Sequence, residues 1–349
     1  MIQASMPLIT AIIPTYRRPA LLQRAITSAV EQQGIDVRVC VFDNCSGDGT
    51  ADVVNRMARR YPTIRYYCHP RNIGAVANFD FAMRSVETPF FSILSDDDYL
   101  LPAFYERALA GLTEHPSAMF WAGTTLSVNE RGAIWDARVD RWPREGMFNP
   151  PEGLMAMMHG MAPTWTGIVF RREIFKRVGF LDQETLGPSD LDFTLRVSAA
   201  FPFVLSKFPS AVYMLNAESF SATQPLSSFW PGWQKMFLNM GTNNALDEDA
   251  RNAALDALHE DAQSMLFRRG ANALAAGRCD YSREAAQALR EYYGKKGRSW
   301  VLNGLSLVCD AAPVLQRIYA RAYKAWERHL VASRADLEVR YGHLIQRPG

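Results

Sequence analysis

Phe90-Phe91-Ser92-Ile93-Leu94-Ser95-Asp96-Asp97-Asp98-Tyr99-Leu100-Leu101-Pro102 decides how this chain is read. An apolar run ends in three carboxylates, and a proline able to open a helix follows. The pattern predicts a buried strand that delivers acid to its own carboxyl end. In open α/β sheets the crevice beyond those ends is where ligands bind. Three adjacent carboxylates repel one another unless a cation or a polyhydroxyl ligand sits among them. Such hard oxygen donors favour magnesium or manganese over zinc. The same acids would also complement the dipole of a helix opened by Pro102, a reading that needs no ligand.

Working back from this stretch, residues 8–13 form a short β-branched run that ends in Pro14-Thr15-Tyr16-Arg17-Arg18-Pro19. This predicts a first buried strand, a loop, and a helix with Leu22, Ala25, Ile26 and Ala29 at helical spacing. Residues 37–42 predict a second strand, again ending in an acid, Asp43. A third strand over 64–68 is followed by the loop His69-Pro70-Arg71-Asn72-Ile73-Gly74 and a helix over 75–86. Strand and helix alternate four times, which predicts a doubly wound parallel sheet with right-handed crossovers. No Gly-x-Gly-x-x-Gly follows the first strand, so the dinucleotide fingerprint is absent.

Four motifs in order now resemble the family 2 glycosyltransferases of the GT-A fold: 13–18 after the first strand, 42–50 after the second, 71–74 with Asn78 after the third, and 94–102. The resemblance implies a Rossmann-like, mostly parallel sheet flanked by helices. It also implies that Pro14, Thr15, Tyr16, Arg18 and Asp43 surround the nucleotide, and that Asn72, Gly74 and Asn78 line its pocket. The acidic triplet then serves as the DxD motif. Relatives often carry an acid where Ser95 stands, so this register makes Asp96 the ribose contact and Asp97 or Asp98 the ligand of Mn²⁺ or Mg²⁺.

Beyond Pro102 the pattern predicts a helix to about residue 115, two strands over 118–122 and 124–128, and a loop over 135–151 bordering the acceptor cleft. Met155, Met157, Met158 and Met161 suit either an apolar acceptor wall or adaptable core filling. Trp165 to Phe175 predicts a strand running into a helix. In Pro188-Ser189-Asp190-Leu191-Asp192 the resemblance makes Asp190 the catalytic base, although its usual acidic predecessor is replaced by Ser189. Asp192 lies about 200° around a regular helix from Asp190, so both cannot face one cleft. Dipole complementarity at a helix N-terminus is the alternative role for Asp190. Asn216 stands where relatives often place a metal- or diphosphate-binding His.

The remainder shows helical periodicity without strand signals. The expected organisation is therefore a GT-A domain over 1–220, with a nucleotide-sugar half 1–130 and an acceptor half 131–220, and an all-helical C-terminal appendage over 221–349. Between Val314 and Leu330, Arg317, Arg321, Lys324 and Arg328 share one helical face, with Leu315, Ile318, Tyr319, Ala322, Tyr323 and Trp326 spread opposite. That helix suits peripheral contact with an anionic membrane, a homodimer surface, or ordinary packing with a solvated charged face.

Composition bounds the alternatives. With 349 residues, 48% hydrophobic and 21% charged, the chain can bury a large core. Lys plus Arg number 38 against 36 Asp plus Glu, which gives no overall field for nucleic acid. Five cysteines without Cys-x-x-Cys spacing argue against a disulfide framework or a structural zinc, and the N-terminal residues lack the pattern of a signal peptide. A cytoplasmic protein, peripheral on the inner face of the membrane, is expected. The resemblance implies transfer with inversion from a nucleotide-diphosphate sugar, a UDP-sugar first and a dTDP-sugar second, to a saccharide or lipid-linked acceptor. Two other classes stay open: a sugar-nucleotide-binding protein of the same fold without catalysis, and a different metal-dependent phosphotransfer enzyme.

Overall fold

In the computed structural model, which describes residues 8–216 and 224–347, the first strand β1 (Ile9–Thr15) is buried along its whole length. It pairs in parallel with β2 (Val37–Asp43) on one side and β4 (Phe90–Ile93) on the other, and β3 (Ile64–Cys68) extends the sheet beyond β2. Helices α1 (Pro19–Val30), α2 (Thr50–Arg60) and α3 (Ala75–Arg84) make the crossovers. Pro19 opens α1 where its missing N–H costs nothing, and the buried residues of that helix are Leu22, Ala25, Ile26 and Ala29.

The parallel run stops at β4. Next comes β9 (Ile168–Arg171), antiparallel to both β4 and β6 (Phe120–Asn129). Strand β10 (Phe203–Leu215) runs parallel to β6, and the two-residue β5 (Tyr99–Leu100) closes the order β3-β2-β1-β4-β9-β6-β10-β5. The GT-A architecture expected from the motifs is therefore present, parallel in its first half and mixed in its second.

Three local expectations are corrected. The two strands expected around Gly123 are one strand, β6. Gly123 does not interrupt it, because this glycine is a point of close approach: a Cβ there would lie 1.9 Å from Ser210 Oγ on β10. The supposed loop over 135–151 holds two short edge strands, β7 (Ile134–Ala137) on β6 and β8 (Gly146–Phe148) on β10. The acidic triplet sits not in a strand but in the connection from β4 to β5, ahead of helix α4 (Phe104–Glu114).

Short helices α5 (Glu152–Ala156) and α6 (Phe175–Val178) precede α7 (Ser189–Ala200). Met157 and Met158 are buried in the main core, with Met155 and Met161 packed against it, so these methionines fill the core. That same core continues without a break into the helical C-terminal part through Phe229, Trp230, Trp233 and Met236 of α8 (Leu226–Gly241). Gly232 permits the contact, since a Cβ there would stand 2.1 Å from the Thr185 carbonyl oxygen. Helices α9 (Glu248–Ala275), α10 (Cys279–Tyr293), α11 (Lys296–Ala311) and α12 (Pro313–Ala332) follow.

The chain then returns to the sheet. Helix α13 (Ala335–Tyr341) buries Leu337 against a small cluster that includes Tyr99, Val128 and Ile134, and the Gln346 N–H donates to Tyr99 Oη at 2.9 Å. Among the described residues no helix is long and apolar enough to cross a membrane.

Candidate active site

The ends of β1, β2 and β4 converge as the alternation required. Thr15 Oγ1 donates to Asp96 Oδ2 at 2.8 Å, and the Tyr16 N–H donates to the same oxygen at 3.4 Å. Arg18 Nη1 bridges the acids, 3.2 Å from Asp96 Oδ1 and 2.8 Å from Asp97 Oδ2. From α1, Arg24 donates to the Asp97 carbonyl at 2.5 Å and lies over the Tyr99 ring. The first helix and its preceding loop thus hold the triplet in place.

The three acids have different environments. Asp96 is buried, and that desolvation, with the neighbouring charge of Asp97, pushes its carboxyl up to about 6 against the opposing help of Thr15 and Arg18. Asp98 is fully buried. Its Oδ2 accepts from Thr166 Oγ1 at 2.5 Å and its Oδ1 from the Met214 N–H at 2.9 Å. Burial first and the Asp97 charge second hold it well above the ordinary carboxylate range. Expected beside Asp97 on a cation, Asp98 instead spends both oxygens on neighbours that tie the triplet to the β9 and β10 side of the sheet. Asp97 carries the carboxylate whose Oδ1 has no protein donor among the hydrogen bonds described.

The nucleotide-side residues form a second network. Asp43 Oδ1 accepts from the Ser46 N–H and hydroxyl at 2.9 and 2.6 Å, and its Oδ2 accepts from Tyr66 Oη at 2.6 Å. Asn72 Oδ1 accepts from Asn44 Nδ2 at 3.1 Å and from the Gly74 N–H at 2.9 Å. Gly74, at φ +88, takes the chain into α3 through a conformation that L side chains rarely adopt. Asn78, expected to line the pocket, is a buried brace: Nδ2 donates to the Phe42 carbonyl at 2.9 Å, while Oδ1 is 3.0 Å from His69 Nε2. Pro14 and Ser95 flank the strand ends without a side-chain hydrogen bond among those described, and the Tyr16 ring is exposed.

On the opposite side, Asp190 sits in the first turn of α7. Its side chain is exposed at the surface, and partial desolvation by the protein around it raises its carboxyl above the ordinary value of 3.8. The Leu191 N–H donates to it at 2.8 Å, and the Arg138 charge opposes the rise. Asp192 turns the other way, as helical spacing requires, and is committed to Arg196 Nε at 2.8 Å and Asn239 Nδ2 at 2.9 Å.

Two residues that the sequence did not single out stand between the halves. Tyr213, on β10, lies within electrostatic reach of Asp97, Asp98, Asp190 and Arg138, and burial pushes its hydroxyl up. Arg138 is half-buried, with Nη1 donating to the Ala162 carbonyl at 3.0 Å and Nε 3.8 Å from Asp136. That burial lowers its pKa, opposed by Asp136. Alternation along β10 was the available signal for Tyr213. Nothing in the sequence around Arg138 set it apart from other surface arginines. Asn216 ends the described stretch and has a partner; residues 217–220, the last of the expected acceptor half, lie outside the described residues.

A divalent cation fits this donor set only in part. Among the described residues no cluster of three or more His, Cys, Asp or Glu could cage a metal. One or two carboxylates, with substrate phosphates and water completing an octahedron, are the usual arrangement for magnesium-type sites, and Asp97, buried but with Oδ1 lacking a donor among the described hydrogen bonds, is the carboxylate that would serve here.

Comparisons with known proteins bear on the family and the fold. Residues 10–179 match the family model described as Glycosyl transferase family 2. An uncharacterized protein of Mycobacterium tuberculosis is 26% identical over 201 residues, 55% of this chain and 62% of the relative. The chondroitin synthase of Pasteurella multocida is 28% identical over 137 residues, 39% of this chain and 14% of that enzyme. The chain thus spans less than two thirds of the length of these relatives. Among solved structures, S. aureus TarS 1–349 in complex with UDP-GlcNAc superposes with a TM-score of 0.61 at 14% identity, covering 91% of each chain, a likeness of fold.

Proposed function

We propose, from the match of residues 10–179 to the Glycosyl transferase family 2 model, that this chain is a glycosyltransferase of that family and moves a sugar from a nucleotide-diphosphate donor to an acceptor hydroxyl with inversion. The observation that supports the proposal is that Asp97, held by Arg18, and Asp190, exposed at the start of α7, both lie within electrostatic reach of Tyr213. Residues 1–130 form the donor half, residues 131–220 the acceptor half, and residues 221–349 a helical region built onto them. Pro14, Thr15, Tyr16, Asp43, Asn72, Gly74 and Ser95 frame the nucleotide, with Asn78 bracing the pocket from behind.

In the proposed reaction the acceptor oxygen attacks the anomeric carbon as its proton passes to an Asp190 carboxylate oxygen. The new C–O bond forms as the bond from the anomeric carbon to the diphosphate breaks, and the diphosphate leaves with the electron pair. A raised pKa makes Asp190 a better proton acceptor than an ordinary aspartate, within the range where general bases typically contribute about 10² to 10⁴ in rate. One displacement needs one base, and Asp192, tied to Arg196 and Asn239, is not available as a nucleophile. Asp97 would hold Mn²⁺ or Mg²⁺ against the donor phosphates, where the ion supplies positive charge for the leaving group. Asp96 serves the ribose, and Asp98 is a brace rather than a ligand. Arg18 pairs with both acids and would share Asp97 with the cation.

UDP-sugars are the first donors to test, supported by the fold shared with a protein solved with UDP-GlcNAc, and dTDP-sugars the second. The acceptor is proposed to be a saccharide or lipid-linked saccharide in bacterial surface-glycan assembly, at the cytoplasmic face. The test is mass analysis of products from purified protein, a donor panel and simple glycoside acceptors. Transfer product from the wild type, lost in Asp190→Asn while donor still binds, supports the assignment. Donor binding with no product from any acceptor would favour a binding protein of the same fold.

A further inference from the structure

Helix α12 carries three stripes rather than two. It packs on α9 through Tyr319, whose hydroxyl donates to the Ala271 carbonyl at 3.2 Å, and through Tyr323, bonded to Asn272. Gln316 lies on the same flank, donating to the Leu274 carbonyl. The apolar residues opposite the basic face are therefore only partly covered. Val314 is 65% exposed, Ile318 55% and Trp326 49%. No residue of α12 is fully buried.

The preceding helix shows the same pattern. α11 buries Ser299, Leu302, Ser306 and Cys309 and leaves Trp300 70% and Leu307 56% exposed. At about 100° per residue, Trp300, Gly304, Leu307 and Ala311 fall on one uncharged stripe, which Lys296 precedes at the start of the helix. The exposed apolar residues continue through the elbow at Ala312, from Leu307 and Val308 into Val314, Leu315 and Ile318. An exposed apolar surface of this extent on a folded protein marks an interaction site.

Charge identifies the occupant. Arg317, Arg321, Lys324 and Arg328 line α12 beside its apolar stripe, all exposed and, among the described residues, none in an ion pair. Lys296 and Arg298 add cations at the start of α11. Of the acids of these helices, Asp310 is paired with Arg283, and Glu327 is half-buried beside Lys324. A second copy of this face would bring the four cations of α12 against one half-buried acid, Glu327, whereas an anionic bilayer offers both acyl chains and negative headgroups. Tryptophans at the edge of an apolar stripe and cations beside it suit the interfacial zone of a membrane.

We propose that α11 and α12 together form a two-helix wedge that docks this chain on an anionic lipid surface, with Trp300, Leu307, Ile318 and Trp326 entering the headgroup boundary and the basic stripe meeting anionic lipid. The wedge acts independently of donor chemistry, so its test uses no substrate. Purified protein is floated with vesicles of phosphatidylcholine alone and with vesicles containing one third phosphatidylglycerol. Wild type should float with the anionic vesicles and partition at least about tenfold less onto the neutral ones, an effect reduced by salt.

The combined variant Trp300→Ser, Leu307→Ser, Ile318→Ser and Trp326→Ser should lose at least about tenfold of this binding. So should the combination Arg317→Gln, Arg321→Gln, Lys324→Gln and Arg328→Gln. Both should melt at the wild-type temperature, since none of these side chains is in the core. Should either unfold, quenching of wild-type tryptophan fluorescence by brominated phosphatidylglycerol reads insertion directly. Failure of wild type to float with anionic vesicles, binding that survives the serine substitutions, absence of quenching, or a wild-type dimer that those serines dissociate without any vesicle binding would each overturn the proposal.

Discussion

Replacing Asp96 by asparagine should change how stability depends on pH, in a window that the structure defines. In the folded protein the Asp96 carboxyl keeps its proton up to about pH 6, against an ordinary value of 3.8 in the unfolded chain. Below about pH 4 both states are protonated, and a protonated aspartic acid resembles the variant's asparagine in shape and charge. As pH rises toward 6 the unfolded chain releases its proton first, so the folded state is progressively disfavoured. Above that window the penalty is complete and constant. A displacement of about two pH units corresponds to about 3 kcal/mol at 1.36 kcal/mol per unit. With an unfolding entropy of about 2.1 cal/mol/K per residue over 349 residues, this amounts to roughly 4 °C in melting temperature. The assay is thermal melting of wild type and Asp96→Asn from pH 4 to 8 in chelator. The variant should match wild type near pH 4 and gain about 4 °C by pH 7, while losing donor affinity. Parallel curves across the range would refute the assignment of a desolvated, charge-crowded Asp96.

Three further outcomes follow from the same geometry. The acid limb of kcat/KM should fall at a pH above the ordinary aspartate value, because burial raises Asp190; a limb at or below pH 4 in a pH–rate profile would remove Asp190 as base. Thr166→Val deletes the 2.5 Å hydrogen bond to buried Asp98 and should cost about 1.5 to 3 kcal/mol in denaturant unfolding, with donor affinity reduced because the triplet loses a brace. Gly232→Ala places a methyl 2.1 Å from the Thr185 carbonyl and should cost about 1 to 3 kcal/mol, with a larger loss in kcat than in donor binding because it displaces the segment leading to Asp190.

The donor half was legible because local rules govern it. β-branched runs, a proline at the start of α1 and polar residues at strand ends fixed β1 to β4 and brought Thr15, Arg18 and Asp96 together. The acceptor half was less legible because its sheet is assembled by pairings far apart in sequence. Strand β9 inserts between β4 and β6, and Gly123 reads as a break although it serves a close crossing with Ser210. The division of labour within Asp96-Asp97-Asp98 could not be read from three identical letters. It depends on Thr166 and the Met214 amide, 68 and 116 residues away from Asp98. Likewise, periodicity placed the two sides of α12, but only the packing of Tyr319 and Tyr323 shows that its apolar stripe stays outside.

The most direct measurement is a thermal-shift titration of purified protein with UDP-, dTDP- and GDP-sugars, each with and without Mn²⁺, in wild type and Asp97→Asn. A rise of several degrees with one donor, dependent on the metal and absent in the variant, is the expected result. Stabilisation by no nucleotide sugar under any metal condition, or a metal-dependent shift that Asp97→Asn leaves intact, would contradict the donor site described for Arg18, Asp96 and Asp97.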